Sequence, residues 1–378
     1  MDRCREGKKE ILAGPITSSC GGSLWLSHQP LIPFPVSRGL RGGGGTGSRA
    51  IHSLAACGCP VRVNMFSVPA TPRVALRPTK KHTALRACEK VALAYFLYLP
   101  CLGLIRHLSI GPLLFLVSIP AVLWAVWQAQ SRSTCRWSEI ARDWWPLGLI
   151  LVGYWALGCF ATPPREVLEG ELVRMDRLLL YKGHLRALIE TAGPFFPATL
   201  ETIYLLLYAI PPVCLGILYA CGERSQAPRF LLIVFAGTFA TYALLPYVPV
   251  ISPRVAFPNL DLPRYNGIAR GINTWLLDHL DITTSVLPSG HVASALSSAL
   301  GMISVLPRRP IVGRCALVVA GLVYLATVYC RYHYAVDGLI SIVLVFAVSR
   351  VALRTSHASI LESPANPNPR IQRTLRSF

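Results

Sequence analysis

The sequence predicts an all-α fold, a polytopic bundle of helices that cross a membrane. Hydrophobic residues make up 53% of the 378 residues and charged residues only 15%, whereas soluble domains are about one quarter charged. About eight apolar segments of helix length, divided by short polar loops, follow residue 90. This composition excludes a disordered chain, a coiled coil and an ordinary soluble enzyme.

Most of the apolar segments approach the roughly 20 residues that cross a bilayer. The first is short and contains Pro100, and the sixth is short and rich in serine, so either could start earlier or be re-entrant. An even number of spans returns the chain to the side on which it began. The spans are predicted at about residues 91–105, 109–128, 145–161, 200–221, 229–248, 290–306, 312–329 and 336–353.

Positive charge is distributed unevenly between the two sides that these spans create. The chain carries a net charge of +19, and most of its Lys and Arg residues lie in segments on one side. The positive-inside rule therefore predicts that both termini are cytoplasmic and that loops 162–199 and 249–289 face the outer or lumenal side. The basic N-terminal region lacks interleaved aromatic residues and any nucleic-acid-binding module, so we expect no nucleic-acid partner. The basic segments are the N-terminal region, loops 129–144, 222–229 and 307–314, and the C-terminal tail.

Three regions of the chain differ in composition. Residues 1–88 are basic, rich in Gly, Pro and Ser, and contain no sustained apolar run, which predicts a disordered region. A lipid-binding tail, or translation from Met65, is the alternative for this region. Residues 89–355 form the predicted multi-pass membrane domain, and residues 356–378 a disordered basic tail.

The 12 cysteines are scattered along the chain and form no C-x-x-C pair. Many lie in apolar runs, where cysteine behaves as a small hydrophobic residue. We therefore expect reduced thiols rather than a disulfide framework, and no metal site.

The predicted outer loop 162–199 contains an amphipathic pattern. Leu168, Leu172, Met175 and Leu179 recur every three to four residues among charged residues, which predicts a helix in the membrane interface. Such a helix could form a lid or a lipid-facing entry surface, or it could simply seal the bundle.

A polar cluster opens the last predicted span, where ionisable residues are costly and tend to mark function. It runs from Arg331 through His333 to Asp337. His333 and Asp337 are four residues apart, so on a helix they share a face and the carboxylate can accept a hydrogen bond from one ring nitrogen. That bond fixes the tautomer and raises the basicity of the other nitrogen, which suits a nucleophile.

A second cluster, Pro288-Ser289-Gly290-His291, opens the sixth span on the same side. Pro288 and Ser289 suit a helix start, where free backbone N–H groups favour a bound anion. His291 in that first turn can protonate a leaving oxygen. The guanidinium groups of Arg331 and Arg254 could hold phosphate oxygens.

These motifs together resemble the type 2 phosphatidic acid phosphatase superfamily. The pair Pro288–His291 and His333–Asp337, about forty residues apart and each at the start of a span, carries the resemblance. The sequence Arg331-Tyr-His-Tyr, together with Ser252-Pro-Arg254, is similar to the branch that contains fungal inositol phosphorylceramide synthases and their bacterial relatives. The resemblance covers roughly residues 140–353 and no part of residues 1–88.

The resemblance implies six core helices of the lipid phosphatase and phosphotransferase type, with about two further N-terminal helices. It also implies transfer of a phosphoryl or phospho-headgroup from a lipid through a phosphohistidine, with no metal and no cofactor. By position, His333 would be the nucleophile, Asp337 its orienting carboxylate and His291 the general acid. Ser289 and the Gly290 backbone would bind phosphate, together with Arg331 and Arg254.

The identity of the second acceptor divides the superfamily: water gives a phosphatase, whereas a lipid or sugar hydroxyl gives a transferase. This chain has Tyr247 where the phosphatase pattern has Lys, Pro before rather than after Arg254, and Ala326 and Thr327 where the pattern has Ser-Arg. These departures favour the phosphoinositol transferase branch over a lipid phosphate or isoprenoid diphosphate phosphatase. The rivals from other classes are a non-catalytic membrane scaffold and a proton-relaying transporter. The transporter is disfavoured because the sequence shows no internal repeat.

Overall fold

A computed structural model describes residues 85–133, 135–163, 166–191, 193–282 and 286–361. For Arg136 and the residues after 354 it describes the backbone alone. Within these ranges the chain is helical and contains no strand, which confirms the predicted all-α bundle. The predictions for residues 1–84 and 362–378 lie outside the described residues. The first helix begins at Ala87.

Fourteen α-helices follow one another in the described ranges. They are α1 Ala87–Ile105, α2 Ile110–Arg132, α3 Arg136–Trp144, α4 Gly148–Ala156, α5 Glu166–Arg177, α6 Leu185–Glu190, α7 Phe195–Leu206, α8 Ile210–Ala220, α9 Ala227–Leu244, α10 Pro253–Ala256, α11 Ile268–Leu280, α12 Gly290–Val305, α13 Pro310–Tyr329 and α14 Ala335–Leu361. Short 3₁₀ or π-helical turns extend several of them, and the turn Leu207–Ala209 joins α7 to α8.

Six of the helical segments are long and apolar enough to cross a membrane, so the chain is a multi-pass membrane protein. They are Ala87–Ile105, Ile110–Arg132, Phe195–Ala220, Arg224–Tyr247, Pro310–Tyr329 and Ala335–Arg354, and they correspond to six of the eight predicted spans. The predicted sixth span is the shorter apolar helix Gly290–Val305. The predicted third span differs most, because 3₁₀ turns at Trp145–Leu147 and Leu157–Phe160 reduce its regular part to the nine-residue α4.

Helix α9 lies at the centre of the bundle and packs against α1, α12 and α14. It is apolar around its whole circumference, which is typical of a helix that is enclosed on all sides. Gly237 allows α12 to approach closely, since a Cβ atom at this position would lie 2.0 Å from the Oγ of Ser297. This contact fixes α12, whose first turn carries His291, against the central helix.

The amphipathic helix that the sequence predicts in loop 162–199 is present as α5. Leu172 is buried, whereas Met175 and Leu179 are exposed. The buried face also includes the carboxylates of Glu169 and Asp176. Glu169 Oε1 accepts a hydrogen bond from Ile251 N at 3.0 Å. Sequence periodicity missed this face because the carboxylates have buried partners, which makes their burial tolerable.

The loops that the sequence assigns to the same side of the membrane do cluster in space. At one end of the bundle, ion pairs join residues near the start of α1 to the end of α3, as in Glu89 with Arg142. Asp143 there also accepts a hydrogen bond from Tyr219 at the end of α8. Helix α9 leads from this end of the bundle towards the motif at Arg254. The side of the membrane that each end faces stays a prediction.

Candidate active site

A tight turn between α13 and α14 positions His333. Arg331 adopts a left-handed conformation with φ 66°, and the N–H groups of Tyr332 and His333 both donate to the carbonyl oxygen of Thr327 at 3.0 Å. A left-handed residue followed by such bonds is a common way for a helix to end. Asp337, in the first turn of α14, accepts a hydrogen bond from Tyr334 N at 3.0 Å. The carboxylate is therefore held in place by backbone as well as by His333.

The start of α12 brings His291 to the same place. Ser289 caps the helix by accepting a hydrogen bond from Val292 N at 3.4 Å, and its own N–H donates to the carbonyl oxygen of Asp337 at 3.1 Å. The next residue must be glycine, because a Cβ atom on Gly290 would lie 2.4 Å from the Tyr242 ring. These contacts join the two sequence motifs directly.

Four side chains form one continuous chain of hydrogen bonds. His333 Nδ1 lies 3.2 Å from Asp337 Oδ2 and 3.1 Å from the Val286 carbonyl oxygen. His333 Nε2 lies 2.9 Å from His291 Nδ1, and His291 Nε2 lies 3.1 Å from the hydroxyl of Tyr208. The two acceptors at Nδ1 of His333 require that this nitrogen carries the proton. Its Nε2 atom is then a lone-pair acceptor, and the proton between the two rings belongs to His291.

Both histidines line a cavity of about 230 Å³. Its polar wall also contains Arg254, Asp281, Tyr154 and Tyr208, whereas most of the remaining wall is apolar. Among the predicted site residues, His291, His333, Gly290 and Arg254 lie on this wall. Asp337 and Ser289 are fully buried behind it, where Asp337 contacts His333 and the Ser289 hydroxyl is used as the helix cap.

Arg254 reaches the cavity from the short helix α10, which follows α9. Its backbone N–H donates to the Arg331 carbonyl oxygen at 3.0 Å, and its Nη1 atom donates to Asp278 Oδ1 at 2.7 Å. Its Nε atom is buried and has no partner among the described residues. Arg254 lines the cavity, and a guanidinium group has the donor geometry that phosphate binding requires.

Arg331 lies behind the turn rather than on the cavity wall. Its side chain is fully buried, and Nη1 pairs with Asp176 Oδ2 at 2.7 Å. The other oxygen of Asp176 accepts a hydrogen bond from Ala335 N at 2.8 Å. Burial raises the pKa of Asp176, and the Arg331 guanidinium opposes this shift. In this conformation Arg331 ties α5 to the turn, while its Nε and Nη2 atoms have no partner in the described part of the chain.

Asp281 lines the cavity just after the end of α11, but it is not among the site residues predicted from the sequence. The hydroxyl of Tyr154 donates to its Oδ1 atom. Burial raises the pKa of Asp281, and the nearby His333 and Arg254 reduce the shift. No short motif contains Asp281, Tyr154 or Tyr208, and nothing in their sequence positions indicates that they meet.

Tyr332 is anchored below the cavity by a buried cluster around Glu201. Its hydroxyl donates to Glu201 Oε2 at 2.7 Å, Arg270 Nη1 donates to Oε1 at 2.7 Å, and Asn273 Nδ2 donates to Oε2 at 2.9 Å. This cluster joins α7, α11 and the turn after α13. Its acids and bases are paired with one another, which indicates a role in holding the site together.

In the described ranges, no group of three or more His, Cys, Asp or Glu side chains is arranged to hold a metal ion. Eight of the cysteines lie in these ranges, and all eight are free thiols.

Residues 170–351 match a family model described as the PAP2 superfamily. This segment includes the three motifs, whereas α1 to α4 precede it. No curated protein and no solved structure matches the chain. The match and the helix bundle fit a membrane lipid phosphatase or phosphotransferase. The narrower resemblance to inositol phosphorylceramide synthases stays a prediction.

Proposed function

We propose that the protein transfers a phosphorus-containing group from a lipid to a hydroxyl acceptor, through a covalent phosphohistidine on His333. The observation that carries this proposal is the chain of hydrogen bonds from Asp337 through His333 and His291 to Tyr208, at the wall of a cavity. The proposal is supported because the residues suited to act as nucleophile, orienting group and proton donor are in contact.

In the first step, His333 Nε2 attacks the phosphorus atom of the lipid and the bond from phosphorus to the leaving oxygen breaks. The negative charge of the bound phosphate favours the imidazolium form of His291, which gives its Nδ1 proton to that oxygen. Asp337 accepts the Nδ1–H bond of His333 and stabilises the positive charge that develops on the ring. Because the 2.9 Å between the two histidine nitrogens admits only a proton, the rings must separate when the phosphate enters.

Two groups would bind the phosphate itself, and two others hold them in place. Arg254 lines the cavity, and its guanidinium group presents donors suited to phosphate oxygens. The N-terminus of α12 at Gly290 supplies backbone N–H groups and the positive end of a helix dipole. Ser289 acts through the helix cap that fixes these N–H groups, and Arg331 acts through the carbonyl group that fixes Arg254.

In the second step, the acceptor oxygen attacks phosphorus, the bond from phosphorus to Nε2 breaks, and His291 takes the acceptor proton. The polar wall favours a substrate that carries several hydroxyl groups. Asp281 lies on this wall together with Tyr154, whose hydroxyl donates to the Oδ1 atom of Asp281. A carboxylate and phenols hydrogen-bond to polyols, which supports transfer of a phosphoinositol-type headgroup.

Trapping the phosphoenzyme tests the main proposal. Membranes that contain the wild-type chain are incubated with a lipid labelled at phosphorus, quenched and separated under denaturing conditions. We expect an acid-labile label on the wild type and on His279→Ala, a control histidine that contacts the Trp275 carbonyl oxygen outside the cavity. We expect none on His333→Ala. An equal label on His333→Ala would contradict the nucleophile assignment.

The acceptor is identified by product analysis. Inositol phospholipid is supplied with and without ceramide, and the products are separated by chromatography. A new phosphorylated sphingolipid that forms only with ceramide supports the transferase. Release of inositol phosphate or inorganic phosphate without ceramide shows that water is the acceptor, and the protein is then a phosphatase of the same mechanism.

We also propose that both termini are cytoplasmic and that the site faces the outer or lumenal side. The excess of Lys and Arg in the segments at the other end of the bundle supports this orientation. An impermeant thiol reagent applied to sealed cells should modify a cysteine placed at Arg264, in loop 249–289, and should spare one placed at Arg308. The reverse pattern would contradict it.

A further inference from the structure

The cavity continues beyond the two histidines along one face of α4. Tyr154, Leu151 and Gly148 line it at spacings of three residues, and Leu147 follows, so they share one side of the helix. From Tyr154 to Leu147 the axial distance is about 10 Å at 1.5 Å per residue. The facing wall consists of Leu207, Pro211 and Pro212 at the junction of α7 and α8. The result is an apolar groove that begins at the catalytic histidines.

The sequence explains why this groove stays open. At Gly148 a Cβ atom would have no heavy atom within 4 Å, so no neighbouring side chain fills the space. On the other wall, the 3₁₀ turn Leu207–Ala209 and the two prolines interrupt regular helix packing. Leu151 at the rim is 37% exposed, which leaves the groove accessible from the surrounding lipid.

The far end of the groove is closed. One turn beyond Leu147, the ring of Trp144 lies 5.6 Å from the ring of Tyr219. A Cβ atom on Gly216 would lie 3.7 Å from Trp144. The wall that carries α4 and the wall that carries α8 therefore meet there, and the groove has a finite length.

The geometry points to the apolar groove between α4 and α8 as the site that holds one hydrocarbon chain of the lipid substrate. The inference rests on the proposed function, because it assumes that a lipid phosphorus group lies between His291 and His333. The groove is continuous with that position, its polar groups are confined to the histidine end, and its other lining side chains are apolar. Helix α4 lies outside residues 170–351, so this chain would set its chain-length preference with a helix that the family model does not cover.

The closed groove predicts a dependence on chain length. Its 10 Å corresponds to roughly eight extended methylene groups. For water-soluble substrates with short chains, each methylene that enters the groove should lower KM about four-fold, and the gain should stop when the groove is full. In a bilayer the effect is smaller, because surrounding lipid solvates the chain equally well.

Filling the groove is the first test. Gly148→Trp places a large ring at its rim, and Gly321→Trp on α13 is the matched control, because its Cβ position also has open space and lies outside the cavity. We expect Gly148→Trp to raise KM for eight-carbon substrates about ten-fold or more, with little change for four-carbon substrates. The control should leave both values unchanged. An identical chain-length profile in Gly148→Trp and wild type would overturn the inference.

A binding measurement separates failure of this inference from failure of the proposed function. A non-hydrolysable alkyl phosphonate with a diazirine in its chain is photolysed with the full-length wild type and His333→Ala, and labelled peptides are mapped. We expect labelling at residues 147–151, competed by long-chain but not short-chain phosphonate, and reduced several-fold in Gly148→Trp. If turnover is absent but this labelling occurs, only the proposed function fails. Label confined to other lipid-facing helices, or label that phosphonate does not compete, would show bulk lipid as the occupant.

Discussion

Both ends of the bundle contain buried charges. In the described part of the chain, the charges of one cluster at the first end are fully paired, whereas several groups at the other end are not. At the end away from the motifs, an anchor cluster joins α1, α3 and α8 and the turn before α9. Its members are Arg86, Glu89, Arg142, Asp143, Tyr219 and Arg224. Arg142 donates to both oxygens of Glu89 at 2.5 and 2.6 Å. Asp143 accepts from Arg86 at 2.5 Å and from Tyr219 at 2.6 Å. None of these six has a buried unpartnered side-chain atom in the described part of the chain.

The site end differs in this respect. Arg254 Nε and Asp337 Oδ1 are buried without a partner among the described residues. Arg254 lines the cavity, and Asp337 contacts His333, which also lines it. Buried polar groups without partners are costly and rare, so each requires a reason. Helices can be held together by fully paired charges, whereas binding a charged ligand requires free donors. We therefore propose that the anchor cluster stabilises the fold and that the site end carries out the reaction.

The largest effect on activity is expected from His333→Ala. Loss of the nucleophile should lower turnover of a lipid phosphate by about 10³-fold or more, while expression, membrane insertion and thermal stability stay close to wild type. Activity assays on purified protein, normalised to folded protein, measure this. Substantial remaining turnover in His333→Ala would contradict the proposed role of His333 as the nucleophile.

The opposite result is expected from Arg142→Ala in the anchor cluster. Removing one partner of a buried ion pair leaves Glu89 uncompensated, which should destabilise the fold by about 3–5 kcal/mol. The midpoint of thermal unfolding in detergent should fall, and turnover per folded molecule should not change.

A second substitution distinguishes this electrostatic cost from lost packing. In an Arg142→Met background, Glu89→Gln keeps the cap that accepts from Arg86 N at 2.8 Å but removes the unpaired charge. It should restore part of the stability. If the double variant is no more stable than Arg142→Met, the anchor cluster acts through packing.

Most of the fold was predictable because membrane spans are read from composition alone. Six segments were found where the apolar runs indicated them. The third span could not be predicted in detail, since its 3₁₀ turns depend on how α4 packs around Trp145 and Pro146. The inward face of α5 was also missed, because hydrophobic periodicity does not reveal that Glu169 and Asp176 find partners in distant segments.

The site was predictable as far as local motifs carry information. The predicted contact between His333 and Asp337 is present, but the expectation that both lie on one helix was wrong, because His333 precedes α14 in the turn after α13. The proximity of His291 followed only from the resemblance. Asp281 and Tyr154 come from segments far apart in sequence, so neither spacing nor composition indicates that they meet. The same holds for Arg331, where Asp176 is a long-range partner.

An intermediate effect is expected from Asp281→Asn. A hydrogen bond to a charged group is worth about 1.5–3 kcal/mol, so transfer should fall about 10- to 100-fold. The matched control is Asp261→Asn, which also loses a carboxylate that accepts from a tyrosine, Tyr181 at 2.6 Å, but lies outside the cavity. If the two variants lower transfer equally, Asp281 has no specific role in substrate binding.

The pH profile of the same variant provides a second readout. Burial raises the pKa of Asp281 above 3.8, and the proposed role requires the deprotonated carboxylate. Wild-type transfer should therefore be lost as the pH falls through a pKa above the usual aspartate range. In Asp281→Asn that acidic limb should disappear. An unchanged limb would show that another group titrates there.

The smallest effect is expected from Tyr208→Phe, which tests whether the hydrogen bond to His291 Nε2 orients the proton donor. Losing one neutral hydrogen bond costs about 1 kcal/mol, so kcat should fall about five-fold while KM stays unchanged. Tyr247→Phe is the control, since it loses a hydrogen bond of 3.0 Å with Tyr98 away from the cavity. A change in KM alone would mean that Tyr208 contacts the substrate rather than positioning His291. A decrease in kcat alone would show that the hydroxyl of Tyr208 helps to orient His291. Tyr208 would then differ from Tyr219 of the anchor cluster, whose hydroxyl joins α8 to α3 through Asp143.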